Sequence, residues 1–511
     1  MDLSDNLIHR FNAGDALRRS AARSPQQRAI HFMGRDLTYA DLDVLTNRMA
    51  RLLLERGIRR GDAVAILATN TPEFAAAFFA CARIGAVLTP INLMFTPEDV
   101  DYVLEKTRAK ALLLEPMFQP KVNRKPETCV LLDEAFRAAL AKQDAGPVEQ
   151  FVADNDPLLI IFTSGTTARP KGVVLTHLNF YAYLLASYAD YPLDRTWRYL
   201  LALPMFHVAG LVLTFSCFAS GCDSIIIPLP KPEPLLHAIA VQKANVLALP
   251  ATVWVGLLQA PGVATADLSS LKRLFVFQYL PTPIFQRWRQ MTPKAEWINC
   301  WGQTETTALG SATPSSEIGA MLAFPDPIGI QHLPLELRIV DEEMNDVAPG
   351  KPGEIVVRGP CVTPGYFEDP AANEALFRGG WHHTGDVAYR DEHGWLYFLD
   401  RKKDMIKSGG ENVSSQEVEE AIAQHPAVAE VAVVGLHDDY WIEKVVACVV
   451  PMPGTQPSEE ELLSYARSRL ANYKVPKQVY VMQEFPKNPT GKVLKRVLRQ
   501  QLGDRAAGAA K

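Results

Sequence analysis

At 511 residues the chain exceeds what one hydrophobic core usually supports, so at least two domains are expected. Apolar residues make up 48% and charged residues 21%, with a formal net charge of −5; this ordinary globular balance leaves no basic excess to hold a polyanion and argues against a nucleic-acid partner. The seven cysteines (Cys81, Cys129, Cys217, Cys222, Cys300, Cys361 and Cys448) are odd in number, scattered and mostly set among apolar neighbours, as reduced core residues of a cytoplasmic protein would be.

Asp2 and Asp5 stand where a signal peptide needs basic residues, and no apolar core follows, so a cytoplasmic location is expected. From there short β-branched runs alternate with longer helical patterns, which predicts an α/β protein built on stacked, largely parallel sheets. Ala63 to Thr69 fits a buried strand, the following segment a helix opening at Pro72, and Leu88 to Asn92 the next strand. Similar strand candidates recur at Ile225 to Leu229 and Val246 to Pro250. Between Tyr199 and Cys222 the only ionisable group, apart from the tyrosine and the cysteines, is His207, and the length would span a bilayer. Pro204, Gly210 and Gly221 interrupt the run and no Lys or Arg anchors its far end, so a buried interior is the better reading. Peripheral membrane contact and a homodimer both stay open.

The texture changes near Asp400. Two alternating strands joined by a turn at Asp391 to Gly394 lead into Asp400-Arg401-Lys402-Lys403-Asp404, a run that suits an exposed connector. Beyond it, Ser414 with Glu417 and Ser458 with Glu461 make two capping-box patterns, and strand candidates follow both, as in a small α+β domain. The expected division is therefore 1–399, a connector at 400–404, and 405–511.

The sharpest chemical signal lies directly after an apolar strand. Thr163, Ser164, Gly165, Thr166, Thr167 and Lys171 combine hydroxyl donors, a glycine backbone and a positive charge within ten residues, the composition of a phosphate grip. A surface loop of turn formers is the bland alternative. The order is not that of a P-loop, because Pro170 precedes the lysine and Gly172 follows it. Adjacent His382 and His383 do not make a zinc site, since neighbours on an extended strand face opposite ways.

This segment resembles the signature loop of the adenylate-forming superfamily, which contains acyl-CoA synthetases, firefly luciferase and the adenylation domains of peptide synthetases. Further segments match in order: Pro204-Met205-Phe206-His207, Trp301-Gly302-Gln303-Thr304-Glu305, Thr384-Gly385-Asp386, Asp400 to Asp404, and Asn488-Pro489-Thr490-Gly491-Lys492. The resemblance implies a large N-terminal domain that includes a β-subdomain, a small mobile C-terminal domain, and a reaction in which a carboxylate attacks the α-phosphorus of ATP before the acyl group passes to coenzyme A. It places Thr163 to Lys171 on the triphosphate, Thr304 on the α-phosphate, and Glu305 on Mg²⁺, a hard cation that prefers oxygen ligands. Trp301 and Gly302 fall at the nucleotide, while Asp386 and Arg401 fall at the ribose. The same likeness makes Lys492 the lysine that bridges carboxylate and α-phosphate, Lys403 the hinge, and Ser408, Gly409, Gly410 and Trp441 the coenzyme A side. His207 and Thr163 join Lys492 and Glu305 as candidate catalytic groups.

Two departures stand out. Gln278-Tyr279-Leu280-Pro281 replaces a glycine-rich segment common in the superfamily, which predicts a reshaped acid pocket walled by Phe206, His207, Val208, Tyr279, Leu280 and Trp301. Trp441-Ile442-Glu443 stands where Trp-Gly-Glu is usual. The segment from Pro204 to Phe215 carries no carboxylate to meet an amino-acid ammonium, so an apolar aliphatic or aromatic monocarboxylic acid is the expected substrate. An acyl-AMP ligase serving a carrier protein and an inactive acyl or nucleotide sensor are the alternatives.

Overall fold

The computed structural model describes residues 11–163, 169–277, 280, 282–313, 326–438, 440–487 and 493–509, with backbone only at 326 and 504–509. Strand Ala63–Leu67 shows how the main body is organised. Val64 and Ile66 enter one core while Ala65 and Leu67 enter another. Val246 and Ala248 face inward from Val246–Pro250, and Leu247 and Leu249 face the opposite core. Strands apolar on both faces belong to sheets covered on both sides, and the sequence supplies helices for each cover. Helix Pro72–Ile84 begins after Thr71, whose side chain accepts from the Phe74 N–H, and stops at Gly85 with φ +69°.

Two large sheets result. One has thirteen strands among the described residues. Half of it is a parallel block that includes Val246–Pro250, Arg273–Phe277 and Glu296–Gly302. The ladder then continues without a break into antiparallel strands, through Gly310–Ala312 and Asp326–Gln331 to Leu396–Arg401 and His382–Arg390. The expected β-subdomain is thus an extension of the parallel sheet. The second sheet has seven strands among the described residues, parallel except where Pro157–Thr163 pairs antiparallel with Lys171–Thr176 and Gly365–Tyr366 joins the latter.

A shared core fills the space between the sheets. Phe78, Phe79, Phe180 and Phe215 stack edge-on or tilted within it, all fully buried. Each such ring contributes about 2–3 kcal/mol by burial. The apolar stretch from Tyr199 to Cys222 lies here: strand Arg198–Leu201, then a 13-residue helix, Val208–Ser220, ended by Gly221 at φ +78°. Among the described residues no helix is long and apolar enough to cross a membrane. On the outer face of the first sheet Trp254, Trp288 and Trp297 form a second core.

Among the described residues a five-stranded sheet follows the connector, with a core on each face. Val433, Val445 and Ala447 meet helices Ser415–Ala423 and Glu459–Arg467, whereas Val434, Val446 and Cys448 meet the helix Lys495–Ala509. Ser458 completes its capping box with Glu461, but Ser414 forms only half of one, because Glu417 turns its carboxylate to Lys474 at 2.7 Å. The connector is not simply exposed, as its charges suggested. Asp400 and Asp404 are buried: Asp400 Oδ2 accepts from the Ser415 N–H and hydroxyl at 2.6 Å each, and Asp404 pairs with Arg499 at 2.8 Å. All seven cysteines are free thiols.

Candidate functional site

Carboxyl ends of parallel strands are where α/β folds bind ligands, and strand Glu296–Gly302 ends there in Trp301 and Gly302. Gly302 has no room for a side chain, since a Cβ would lie 2.6 Å from the Ala308 carbonyl. The chain then makes one tight turn, Thr304–Thr306, followed by Thr307 and Ala308 at φ +55° and +59°. Such backbone is strained for residues with a Cβ. Contacts hold it in place: the Thr307 hydroxyl donates to the Cys361 carbonyl at 2.6 Å, and the Thr363 N–H donates to the Glu305 carbonyl at 2.7 Å.

Asp386 is the electrostatic centre of one half of the site. It follows Gly385, whose φ is +67°, and is 1% exposed. Its Oδ2 accepts from Trp301 Nε1 at 2.9 Å and from Gln303 Nε2 at 2.7 Å. Its Oδ1 faces Arg401 Nε at 2.6 Å, at an angle that makes this an ion contact rather than a hydrogen bond, so that oxygen keeps unused acceptor capacity. Asp386 and Arg401 are direct register partners on neighbouring strands. His382, beside them, is held neutral: burial, then the His383 charge, push its pKa down to about 4.

The other half gathers around Tyr366. Its hydroxyl donates to Glu305 Oε1 at 2.9 Å, and its ring lies 5.0 Å from Lys171 Nζ. Burial, then the Glu305 charge, raise the phenol pKa, so Tyr366 keeps the proton it donates. Lys171 and Thr163 are cross-strand partners, the last pair of an antiparallel ladder between Pro157–Thr163 and Lys171–Thr176. The turn Thr304–Thr306 packs against the second strand of that ladder. Ser164, Gly165, Thr166 and Thr167 lie outside the described residues, as do Tyr279 and Lys492.

The remaining predicted residues divide. His207 caps the helix Val208–Ser220; its Nδ1 accepts from the Ala209 N–H at 3.4 Å, which leaves Nε2 as a donor, and burial pushes its pKa down to about 4. Phe206 belongs to the same core as Phe162, on the outer face of the seven-stranded sheet. Val208 and Leu280, expected as pocket walls, are buried in the inter-sheet core and the tryptophan core respectively. In the small sheet Ser408 is buried, Gly409 has φ +62° with a Cβ position 3.0 Å from the Trp441 ring, and Gly410 has φ +87° over open space. Lys477 covers the Trp441 ring at 4.6 Å. Ile442, where a glycine is usual, adopts φ +70°, an outlier for a β-branched residue. Lys403 is exposed, and its backbone carbonyl lies 3.5 Å from Arg499. Sequence reasoning missed Tyr366 and Gln303. Gln303 sat inside a recognised motif; Tyr366 carried no local signal.

This arrangement of two large sheets, a small third sheet and a site at the strand ends defines a class. The family model described as AMP-binding enzyme matches residues 17–367, and the model of that enzyme's C-terminal domain matches residues 417–492. The chain belongs to the AMP-binding enzyme family, and its activity is that of an acid–thiol ligase. An indoleacetate–CoA ligase of Aromatoleum aromaticum is 34% identical over 502 residues, covering 94% of this chain and 96% of its own. A fatty acid–[acyl-carrier-protein] ligase of Streptomyces coeruleorubidus, ScoC, is 33% identical over 503 residues, covering 95% and 96%. The structure of the anthranilate CoA ligase AuaEII in complex with anthranoyl-AMP superposes with a TM-score of 0.90 at 25% identity, across 98% of this chain and 99% of that one.

Proposed function

We propose that this enzyme adenylates an apolar aliphatic or aromatic monocarboxylic acid with ATP and transfers the acyl group to the thiol of coenzyme A. The observation that carries the reading is the buried Asp386 carboxylate, held by Trp301, Gln303 and Arg401 with acceptor capacity to spare, next to the linked Glu305, Tyr366 and Lys171.

Two ribose hydroxyls would donate to the Asp386 carboxylate, with Arg401 flanking the sugar. The Thr163 to Lys171 segment would then receive the triphosphate, Lys171 supplying charge and the Ser164 to Thr167 segment hydroxyls and amides. Thr304 falls at the α-phosphate. Glu305 fits a divalent cation, because Tyr366 occupies Oε1 and Oε2 has no partner among the described residues. Mg²⁺, when bound there, neutralises phosphate charge. In the first half-reaction a carboxylate oxygen bonds to the α-phosphorus and pyrophosphate leaves; Lys492 is assigned to stabilise both anions as they meet. Neutral His207 would offer its Nε2 N–H to the acid.

In the second half-reaction the coenzyme A sulfur bonds to the acyl carbon and AMP leaves. Ser408, Gly409, Gly410 and Trp441 form the face assigned to the pantetheine arm, and a pivot at Lys403 between a body of residues 1–399 and a lid of residues 405–511 would exchange that face for Lys492. The likeness to a carrier-protein ligase supports a second reading, in which the acceptor thiol belongs to a protein.

A screen of aliphatic, branched and aromatic acids, read as AMP release with and without coenzyme A, tests the whole. Acid-dependent AMP release stimulated by coenzyme A is the expected result. Acyl-AMP formed without any thioester from free coenzyme A would favour the carrier-protein reading, and no pyrophosphate exchange with any acid would refute adenylation. Lys492→Ala should abolish adenylation while sparing thioester formation from supplied acyl-AMP. Gly409→Leu, which forces a side chain against Trp441, should do the reverse.

A further inference from the structure

Tyr366 touches two groups of opposite charge that sit on different elements. Its hydroxyl is 2.9 Å from Glu305 Oε1, and its ring is 5.0 Å from Lys171 Nζ. The residue itself is pinned. It lies on the two-residue strand Gly365–Tyr366, opposite Val173 on the strand that Lys171 begins. Asn373 grips its backbone twice: the Tyr366 N–H donates to Asn373 Oδ1 at 2.7 Å, and Asn373 Nδ2 donates to the Tyr366 carbonyl at 3.0 Å. The preceding residue must be glycine, because at φ +141° a Cβ would lie 2.8 Å from Asn373. So much local support for one pair at the sheet edge is more than the short strand needs for its own pairing.

We propose that Tyr366 is a positioning residue that couples the metal-binding carboxylate to the triphosphate lysine; the inference rests on the adenylation site described above. Two opposite charges about one side chain apart attract strongly in a partly buried site. Left alone, Lys171 and Glu305 would pair with each other and offer neither group to a ligand. The tyrosine prevents this in a specific way. Its ring face holds the ammonium by cation–π attraction, which uses none of the three N–H donors that phosphate oxygens require. Its hydroxyl takes one carboxylate oxygen and leaves the other for a cation. The same contact fixes the carboxylate's direction, and the Thr363 N–H fixes the backbone beneath it at 2.7 Å. One side chain therefore prepares two subsites whose ligands, a divalent cation and a triphosphate, bind as a unit.

The test separates the two contacts. ATP affinity is measured by equilibrium titration in EDTA and in Mg²⁺ for the wild type, Tyr366→Phe and Tyr366→Leu, with thermal midpoints as a fold check. Phenylalanine keeps the ring and loses the hydroxyl. Its metal-free affinity should match wild type, while the tightening produced by Mg²⁺ should shrink about tenfold, as expected for one hydrogen bond to a charged group. Leucine should lose that same gain and also weaken metal-free binding about threefold, from the missing ring. If Tyr366→Phe keeps the full Mg²⁺ gain, or weakens ATP equally in EDTA and Mg²⁺, the coupling is refuted while the adenylation reading stands. If the wild type binds no ATP under either condition, the adenylation reading falls and takes this inference with it. Should the leucine variant not fold, the phenylalanine variant alone decides the coupling.

Discussion

Replacing Asp386 with asparagine isolates the electrostatic centre of the site without changing its shape. The native carboxylate faces donors on both sides: Trp301 and Gln303 on Oδ2, Arg401 on Oδ1. An amide has one acceptor oxygen. Two hydrogen bonds on one side fix that oxygen toward Trp301 and Gln303, which leaves the amide nitrogen aimed at Arg401 Nε, 2.6 Å away in the native protein. Arg401 is 34% exposed and can turn to water, so the lost pair is worth far less than a fully buried one. About 1–2 kcal/mol of stability should be lost, the upper part of that range coming from the donor left facing a donor. A nucleotide would suffer more. Its ribose would meet an N–H where it needs a charged acceptor, a loss of about 1.5–3 kcal/mol, or roughly tenfold to a hundredfold in affinity. Equilibrium titration with ATP measures the second effect and thermal unfolding the first. An Asp386→Asn variant that binds ATP within threefold of wild type would show that the sugar lies elsewhere.

Lys495 and Glu419 pair at 2.7 Å with only 16% and 20% of their side chains exposed, and Lys495 also donates to the Ser415 hydroxyl at 2.5 Å. Lys495→Met should cost about 2–3 kcal/mol, somewhat below a fully buried pair, read as a lowered urea midpoint; an unchanged midpoint would show that Glu419 finds another partner. Ile442→Gly should stabilise the protein by about 0.5–1 kcal/mol, since relief of about 1–2 kcal/mol of left-handed strain exceeds the entropy cost of glycine at a position that is 58% exposed. A lower thermal midpoint would mean that Ile442 is not strained. His177 is fully buried and accepts the Ala13 N–H at 3.0 Å, and burial holds its pKa near 4 against an ordinary 6.5. Protons therefore bind the unfolded chain first: the stability from its neutral ring is complete above about pH 6.5 and is lost as the pH falls toward 4, by up to about 1.4 kcal/mol per pH unit. Urea midpoints from pH 7.5 to 4 should show this decline, and His177→Gln should flatten it; an identical slope in the variant would remove His177 from the account.

Local features were readable from the sequence where one short segment decided them. Val246–Pro250 is a strand with the predicted ends, Pro72 opens the predicted helix, and the hairpin around Asp391 to Gly394 joins the two strands foreseen there. Each rests on periodicity or turn chemistry within a dozen residues. What depended on distant partners was not readable. Asp400 looked like part of a solvated charge run because its burial comes from Ser415, fifteen residues on, and from the fold of the small sheet. Leu280 was singled out as a pocket wall from its place in a segment that departs from the superfamily pattern; that its side chain joins the tryptophan core depends on partners far along the chain. In the site, the motif residues Trp301, Glu305, Asp386 and Arg401 were legible by type and order. Tyr366 was not, since its meaning lies in Glu305, 61 residues before it, and Lys171, still further away.

The register pairing of Asp386 with Arg401 falls just ahead of Lys403, on the side of the large body. On the mechanism proposed above, a lid swinging about that point would carry its own face away and leave Asp386 and Arg401 where they are. The energy-rich mixed anhydride formed in the first step would thus never need to be released or recaptured, and water would find no interval in which to destroy it. On the same proposal AMP would be the last product to depart, because what would secure the intermediate would also secure its remnant.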